Sequence, residues 1–164
     1  MTVGEGLSKE KGGLPGTYVL ALSLPRAVQL EVGALGDIPL QQGVYLYVGS
    51  ARGPGGPAAR LRRHARAVDR LHWHVDYLRQ EAEPLLAFVS YDSQRLECAW
   101  AAALESTGVP IAAPKGFGAS DCKCATHLFS AGSLACFPAS VEPLRQAIGA
   151  EEVWSLRPSG ALYS

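Results

Sequence analysis

The sequence predicts an α/β (α+β) domain, with a central antiparallel three-stranded sheet flanked by helices and extra strand and helix elements towards the C-terminus. Period-2 alternation runs through Gly16–Leu24, Val28–Val32 and Gly43–Gly49. The links between these runs are too short for a parallel crossover. Apolar residues recur at helical spacing at Ala58, Leu61, Ala65 and Val68, and again at Leu96, Ala99, Trp100, Ala103 and Leu104. With 164 residues, 48% of them hydrophobic, the chain can bury one core. A single domain is therefore expected over residues 15–150, between a polar lead (1–14) and a C-terminal tail (151–164).

In the first run, Tyr18, Leu20, Leu22 and Leu24 alternate with Thr17, Val19, Ala21 and Ser23, and Pro25 ends it. In the second, Val28, Leu30 and Val32 alternate with Gln29 and Glu31. Residues 33–42, with Gly36-Asp37 and Pro39, read as a turn-rich link. Val44, Leu46 and Val48 share one face of the third strand, which leaves Tyr45, Tyr47 and Gly49 on the other; the phenols are expected to point away from the core. The loop Gly53-Pro54-Gly55-Gly56 leads to Pro57, well suited to a first helical position, and Arg60, Arg63 and His64 lie on another face of that helix.

The stretch 71–78 fits a helix through Leu71, Val75 and Leu78 and a strand through His72, His74 and Asp76, so periodicity leaves it open. Leu85 to Tyr91 reads as a strand. Asp92 or Ser93 can cap the next helix, with Glu97 early in it and Gly108-Val109-Pro110 at its end. Residues 115–127 are too rich in glycine and polar residues for a regular element and read as an ordered loop beside a site. Leu128-Phe129 starts a short strand, and Ser140 can cap a last helix that runs through Ile148 to Gly149.

Fifteen basic and fifteen acidic residues cancel, but the charge is unevenly placed. Six arginines between Arg52 and Arg70 stand against Asp69 alone, a net of +5 over that stretch, enough to hold a polyanion. Arg52, Arg62, Arg63, Arg66 and Lys115 are the candidate nucleic-acid contacts. A solvated helix face is the plain alternative. No run of 18 or more apolar residues occurs and the N-terminus lacks the apolar centre of a signal peptide, so a cytoplasmic protein with no membrane partner is expected.

The chain has four cysteines. Cys98 and Cys136 fall in apolar patterns and read as small buried hydrophobes. Cys122 and Cys124, with His127 three residues further on, can supply three zinc ligands, and His72 or His74 a fourth. Alternatively these residues brace the wall of a cleft.

Gly16-Thr17-Tyr18 on a first strand and Tyr47-Val48-Gly49 on a later one precede an arginine-rich helix and then Glu97 on another helix. This order resembles the GIY-YIG nuclease superfamily, most of all its small Uri-type branch, related to the excision-repair and intron-encoded endonucleases. The strings YVGSA, RHxR, HWHxDYL and GFGxSDCxCxxHL, near Tyr47, His64, His72 and Gly116, are similar to those of one subgroup. The resemblance covers Gly16 to Phe129. Thr17 and Val48 replace isoleucines, Gly53 to Gly56 lengthen the loop before the helix, and the asparagine many members carry has no counterpart, since the chain contains none. Ser120 or Asp121 is the expected substitute.

The resemblance implies a metal-dependent endonuclease that hydrolyses phosphodiester bonds in single-stranded, duplex or branched DNA, structure-selective and acting in repair. It implies paired active-site tyrosines at Tyr18 and Tyr47, a phosphate-binding Arg60, His64 one turn on, and Glu97 as the single carboxylate for Mg²⁺ or Mn²⁺. One carboxylate suits a hard ion that keeps most of its waters. A tyrosine acts as base only if neighbouring cations lower its pKa, and Tyr18 is favoured over Tyr47 because it opens its strand. Two other classes remain: a nucleic-acid-binding module that has lost cleavage, and a zinc-stabilised interaction protein.

Overall fold

Gly16–Leu24 (β1), Val28–Glu31 (β2), Asp37–Leu40 (β3), Gly43–Ala51 (β4), Glu83–Ser90 (β5), Leu128–Ser130 (β6) and Glu152–Ser155 (β7) are the strands of the computed structural model, which describes residues 13–110, 112–113, 115–119 and 122–156. Five of them form one antiparallel sheet in the order β6-β4-β1-β5-β7. The expected three-strand meander is corrected: β1 passes over β2 and pairs with β4 and β5, while β2 pairs with β3 in a separate hairpin. The cause lies in the stretch read as a link. Ile38 and Leu40 are buried and alternate with exposed Asp37 and Pro39, a period-2 signal masked by two turn-forming residues.

Both faces of the sheet are covered. The helices are Gly56–Ala65 (α1), His74–Arg79 (α2), Glu97–Ser106 (α3) and Phe137–Ile148 (α4). Val19, Val48 and Phe88 pack with Trp100, Leu104 and Phe137 of α3 and α4. Tyr18, Tyr47 and Val89, on the opposite face, pack with Leu61 of α1 and with Val75 and Leu78 of α2. The alternation along β4 is therefore as expected, but the expectation that its tyrosines face away from the core is wrong, because a second layer of helix buries them. Tyr18 is 1% exposed and Tyr47 7%. That second layer is tied together by Arg79, whose guanidinium donates to the carbonyls of His64 (2.6 Å) and Arg66 (2.8 Å) at the end of α1.

The ambiguous stretch 71–78 resolves into a helix that starts only at His74. Asp92 does not cap α3. Its carboxylate accepts from the Gln94 N–H (2.8 Å) in a local turn, so the helix begins later, with Glu97 as its first residue. α4 starts at Phe137, before Ser140, and ends at Gly149 in the left-handed conformation (φ 74°) as expected. The tail read from residue 151 contains β7, which extends the sheet beyond β5. Cys98 and Cys136 are exposed, not buried as their apolar neighbours suggested. No helix among the described residues is long and apolar enough to cross a membrane.

Candidate active-site cleft

The C-terminal end of β4, the outer face of α1, the N-termini of α2 and α3 and the loop before β6 converge on a cleft of about 300 Å³. Tyr47, Arg60, Glu97 and His127 line it together with His72, Trp73 and His74. Two glycines let the aromatic rings reach their places. Gly49 lies opposite Tyr18 in the β1–β4 register, and a Cβ there would sit 2.4 Å from the phenol carbon and oxygen of Tyr18. Gly118 (φ 68°) passes the Tyr47 ring, and a Cβ on it would come within 2.8 Å of Tyr47 Cε2. Any larger residue at either position displaces a tyrosine.

Tyr18 does not line the cleft. It lies behind Tyr47, with ring centroids 6.4 Å apart, and its hydroxyl is 2.8 Å from Nε2 of buried His64. Burial, and after it the neighbouring Tyr47, pushes the Tyr18 phenol well above its ordinary value, against the downward pull of the Arg60 guanidinium beside it. The expected fall in its pKa is thus reversed. Burial also lowers His64, to about 3, so its ring is neutral. His64 Nδ1 is buried without a hydrogen-bond partner among the described residues.

Arg60 and Arg63, one turn apart on α1, both lie over the ring of Trp73 at 4.1 Å from its centroid. Their surroundings then diverge. Arg63 donates to both carboxylate oxygens of Asp76, at 2.9 and 3.0 Å. Asp76 also accepts the backbone N–H groups of His72 and Trp73, each at 2.8 Å. Burial alone would raise Asp76, but Arg63 and these N–H groups outweigh it and hold the carboxyl below its usual range. Arg63 therefore fixes the entry to α2, while Arg60 faces the cleft.

Glu97 enters the cleft from the first residue of α3, where the helix dipole favours a negative charge. Its Oε2 is buried and has no hydrogen-bond partner among the described residues. A buried carboxylate oxygen left without a donor is costly unless a cation completes it. This atom fits a hard divalent ion held by one carboxylate and water, as Mg²⁺ and Mn²⁺ prefer.

His74 Nδ1 accepts the Gly118 N–H at 2.8 Å, so the neutral ring carries its proton on Nε2 and is a donor there. Burial lowers the pKa of His74 and so favours this neutral form. Neither His72 nor His74 joins the cysteines. The described residues instead bring Cys98, Cys122, Cys124 and His127 together, with their ligand atoms all within 4.8 Å of one another, a group that could hold a metal ion.

A family profile described as "Domain of unknown function DUF123" matches residues 17–149, a span that includes every strand and helix lining the cleft. The chain belongs to this family. DUF123 is a GIY-YIG-like, nuclease-related family. No curated protein and no solved structure matches the chain.

In this DUF123 domain the sequence-predicted residues divide by position. Tyr47, Arg60 and Glu97 meet in the cleft, with Tyr18 and His64 stacked behind them. Arg62 is exposed on α1, Arg66 is exposed just past its end, and Lys115 is exposed in the loop before β6. Arg52 donates to the Ser93 carbonyl at 2.7 Å. Ser120 and Asp121 lie outside the described residues. Sequence reasoning missed the roles of Trp73, Asp76 and Cys98. Asp76 stands three residues after Trp73, the spacing at which a helix carboxylate reaches back to the capping residue's N–H, and that was a legible signal. Cys98 sits beside Glu97 in an apolar helix pattern, where nothing local marks a ligand.

Proposed function

We propose that this DUF123 chain is a metal-dependent endonuclease of the GIY-YIG kind, closest to the Uri-type branch, that hydrolyses phosphodiester bonds in DNA and serves structure-selective cleavage in repair. The observation that carries the reading is the Oε2 of Glu97, buried and without a partner among the described residues, in one cleft with Arg60 and Tyr47. A pure binding module uses arginines but gains nothing from an unsatisfied carboxylate.

A divalent ion bound by Glu97 supplies positive charge for the phosphate oxygens and increases the acidity of water. Arg60, held flat by Trp73, hydrogen-bonds a non-bridging oxygen and stabilises the charge that builds on the phosphate in the transition state. His74 donates its Nε2–H to a second phosphate oxygen. Tyr47 lines the cleft, and as the phenolate, its own proton already given up to solvent, it takes the proton of the attacking water, while the leaving oxygen takes a proton from solvent. Tyr18, buried and bonded to His64, positions Tyr47 and keeps its own proton. Exposed Arg62, Arg66 and Lys115 contribute phosphate contacts along the strand.

Purified protein incubated with single-stranded, duplex and branched DNA, in Mg²⁺, Mn²⁺ or EDTA, tests this reading. Cutting in either metal and none in EDTA is expected. Salt-sensitive binding with no cutting under any condition would make the chain a binding module.

A further inference from the structure

Cys98 is the second residue of α3, while Cys122, Cys124 and His127 come from the loop that leads into β6. These segments are far apart in sequence, yet their donor atoms all fall within 4.8 Å of one another. The Cys122 Sγ–His127 Nε2 distance is 3.6 Å. Two ligands on a tetrahedral zinc, with Zn–S about 2.3 Å and Zn–N about 2.0–2.1 Å, lie roughly 3.6 Å apart, so this edge already has the length of a zinc site. All four cysteines of the chain are free thiols.

The loop is braced in the shape that brings these atoms together. Gly116 N–H donates to the Ala125 carbonyl and His127 N–H to the Phe117 carbonyl, each at 2.8 Å, and the His127 carbonyl accepts the Val48 N–H of β4 at 2.9 Å. The loop is therefore fixed to the strand that carries Tyr47, and its cysteines meet the first turn of the helix that carries Glu97. Three sulfurs and one imidazole nitrogen form a soft, four-donor set that suits zinc and leaves no position open for substrate, the pattern of a structural site.

We propose that Cys98, Cys122, Cys124 and His127 bind one structural Zn²⁺, which fastens the N-terminal turn of α3 to the loop before β6. This replaces the expected ligand set with His72 or His74 by one whose fourth member is Cys98. The site shares His127 with the lining of the cleft, but the proposal does not rest on nuclease activity, and its test reads metal and thiols, not cleavage. Metal analysis of full-length protein purified without chelator should return about one zinc per chain. Native protein should expose only Cys136 to a thiol reagent until a chelator strips the metal. Replacing zinc with Co²⁺ should give the intense visible bands of tetrahedral cobalt with sulfur-to-metal charge transfer in the near ultraviolet. Cys98→Ser should lose most of the zinc and Cys136→Ser none. If Cys98→Ser does not fold, the wild-type cobalt spectrum and thiol count decide the question alone. A folded, metal-free wild type with four reactive thiols, a disulfide within the cluster, iron or copper in place of zinc, or full zinc retention by Cys98→Ser would each overturn the assignment.

Discussion

The Tyr18 hydroxyl and Nε2 of His64 lie 2.8 Å apart, and both side chains are buried beneath the candidate cleft. His64, on α1, is thereby joined to β1 by a hydrogen bond that solvent does not reach, and burial holds its pKa down to about 3.

That burial makes folding pH-dependent with a definite sign. The unfolded chain binds a proton at His64 below about pH 6.5, whereas the folded chain resists it down to about 3. The contribution is complete above the unfolded value and is lost as pH falls from there through the folded one. Between about pH 7 and pH 4.5 this single group should remove about 2 to 3 kcal/mol of stability. Urea unfolding across that range should show the loss in the wild type and a visibly flatter profile in His64→Gln. Parallel profiles would mean that His64 is not buried neutral.

Arg62 and Arg63 are neighbours in sequence with opposite expected effects. Arg62 is exposed, so Arg62→Ala should leave stability within about 0.5 kcal/mol of wild type and lower the salt slope of DNA binding by about 1. Arg63 holds Asp76, whose side chain is only 3% exposed. Asp76→Ala should cost about 3 kcal/mol by leaving the pair broken in a largely dry site. Denaturant unfolding and salt titrations of DNA binding separate these outcomes.

Gly49→Ala should destabilise the protein by about 1–3 kcal/mol, because the added methyl meets the Tyr18 ring and no flexible group is there to yield. The tyrosine must rotate, so its bond to His64 should break as well. A thermal midpoint equal to wild type would show that the ring has room.

The parts legible in the sequence were those with strong local periodicity. β1, β4 and β5, α1 and the Gly149 stop follow from alternation, helical spacing and a left-handed cap. β3 was hidden because Asp37 and Pro39 are turn formers used here on an exposed strand face. The burial of the tyrosines was hidden because alternation separates two faces without saying that helices cover both. Tyr47, Arg60 and Glu97 could be picked out as a set through the resemblance to GIY-YIG nucleases, and they do line one cleft. The place of Cys98 in the proposed metal site could not, since its partners are brought to it only when α3 packs beside the loop before β6.

Tyr47→Phe and Tyr18→Phe should fail differently. Tyr47 lines the cleft, so its phenylalanine variant should lose roughly 10²- to 10⁴-fold in cleavage rate together with the basic limb of the pH profile. Tyr18→Phe leaves His64 without its partner and should cost about 1–3 kcal/mol of stability while the basic limb survives. Loss of that limb in Tyr18→Phe alone would exchange the two roles.

Glu97→Gln tests the central claim most directly. The amide keeps the size of the side chain but removes the charge that the unpartnered Oε2 offers to a divalent ion, and it leaves the arginines of α1 untouched. Cleavage and binding of the same labelled DNA, measured side by side in Mg²⁺, should show cutting lost by at least about 10²-fold with affinity nearly unchanged. Equal loss of both, or cutting at the wild-type rate, would contradict a metal-dependent nuclease built on Glu97.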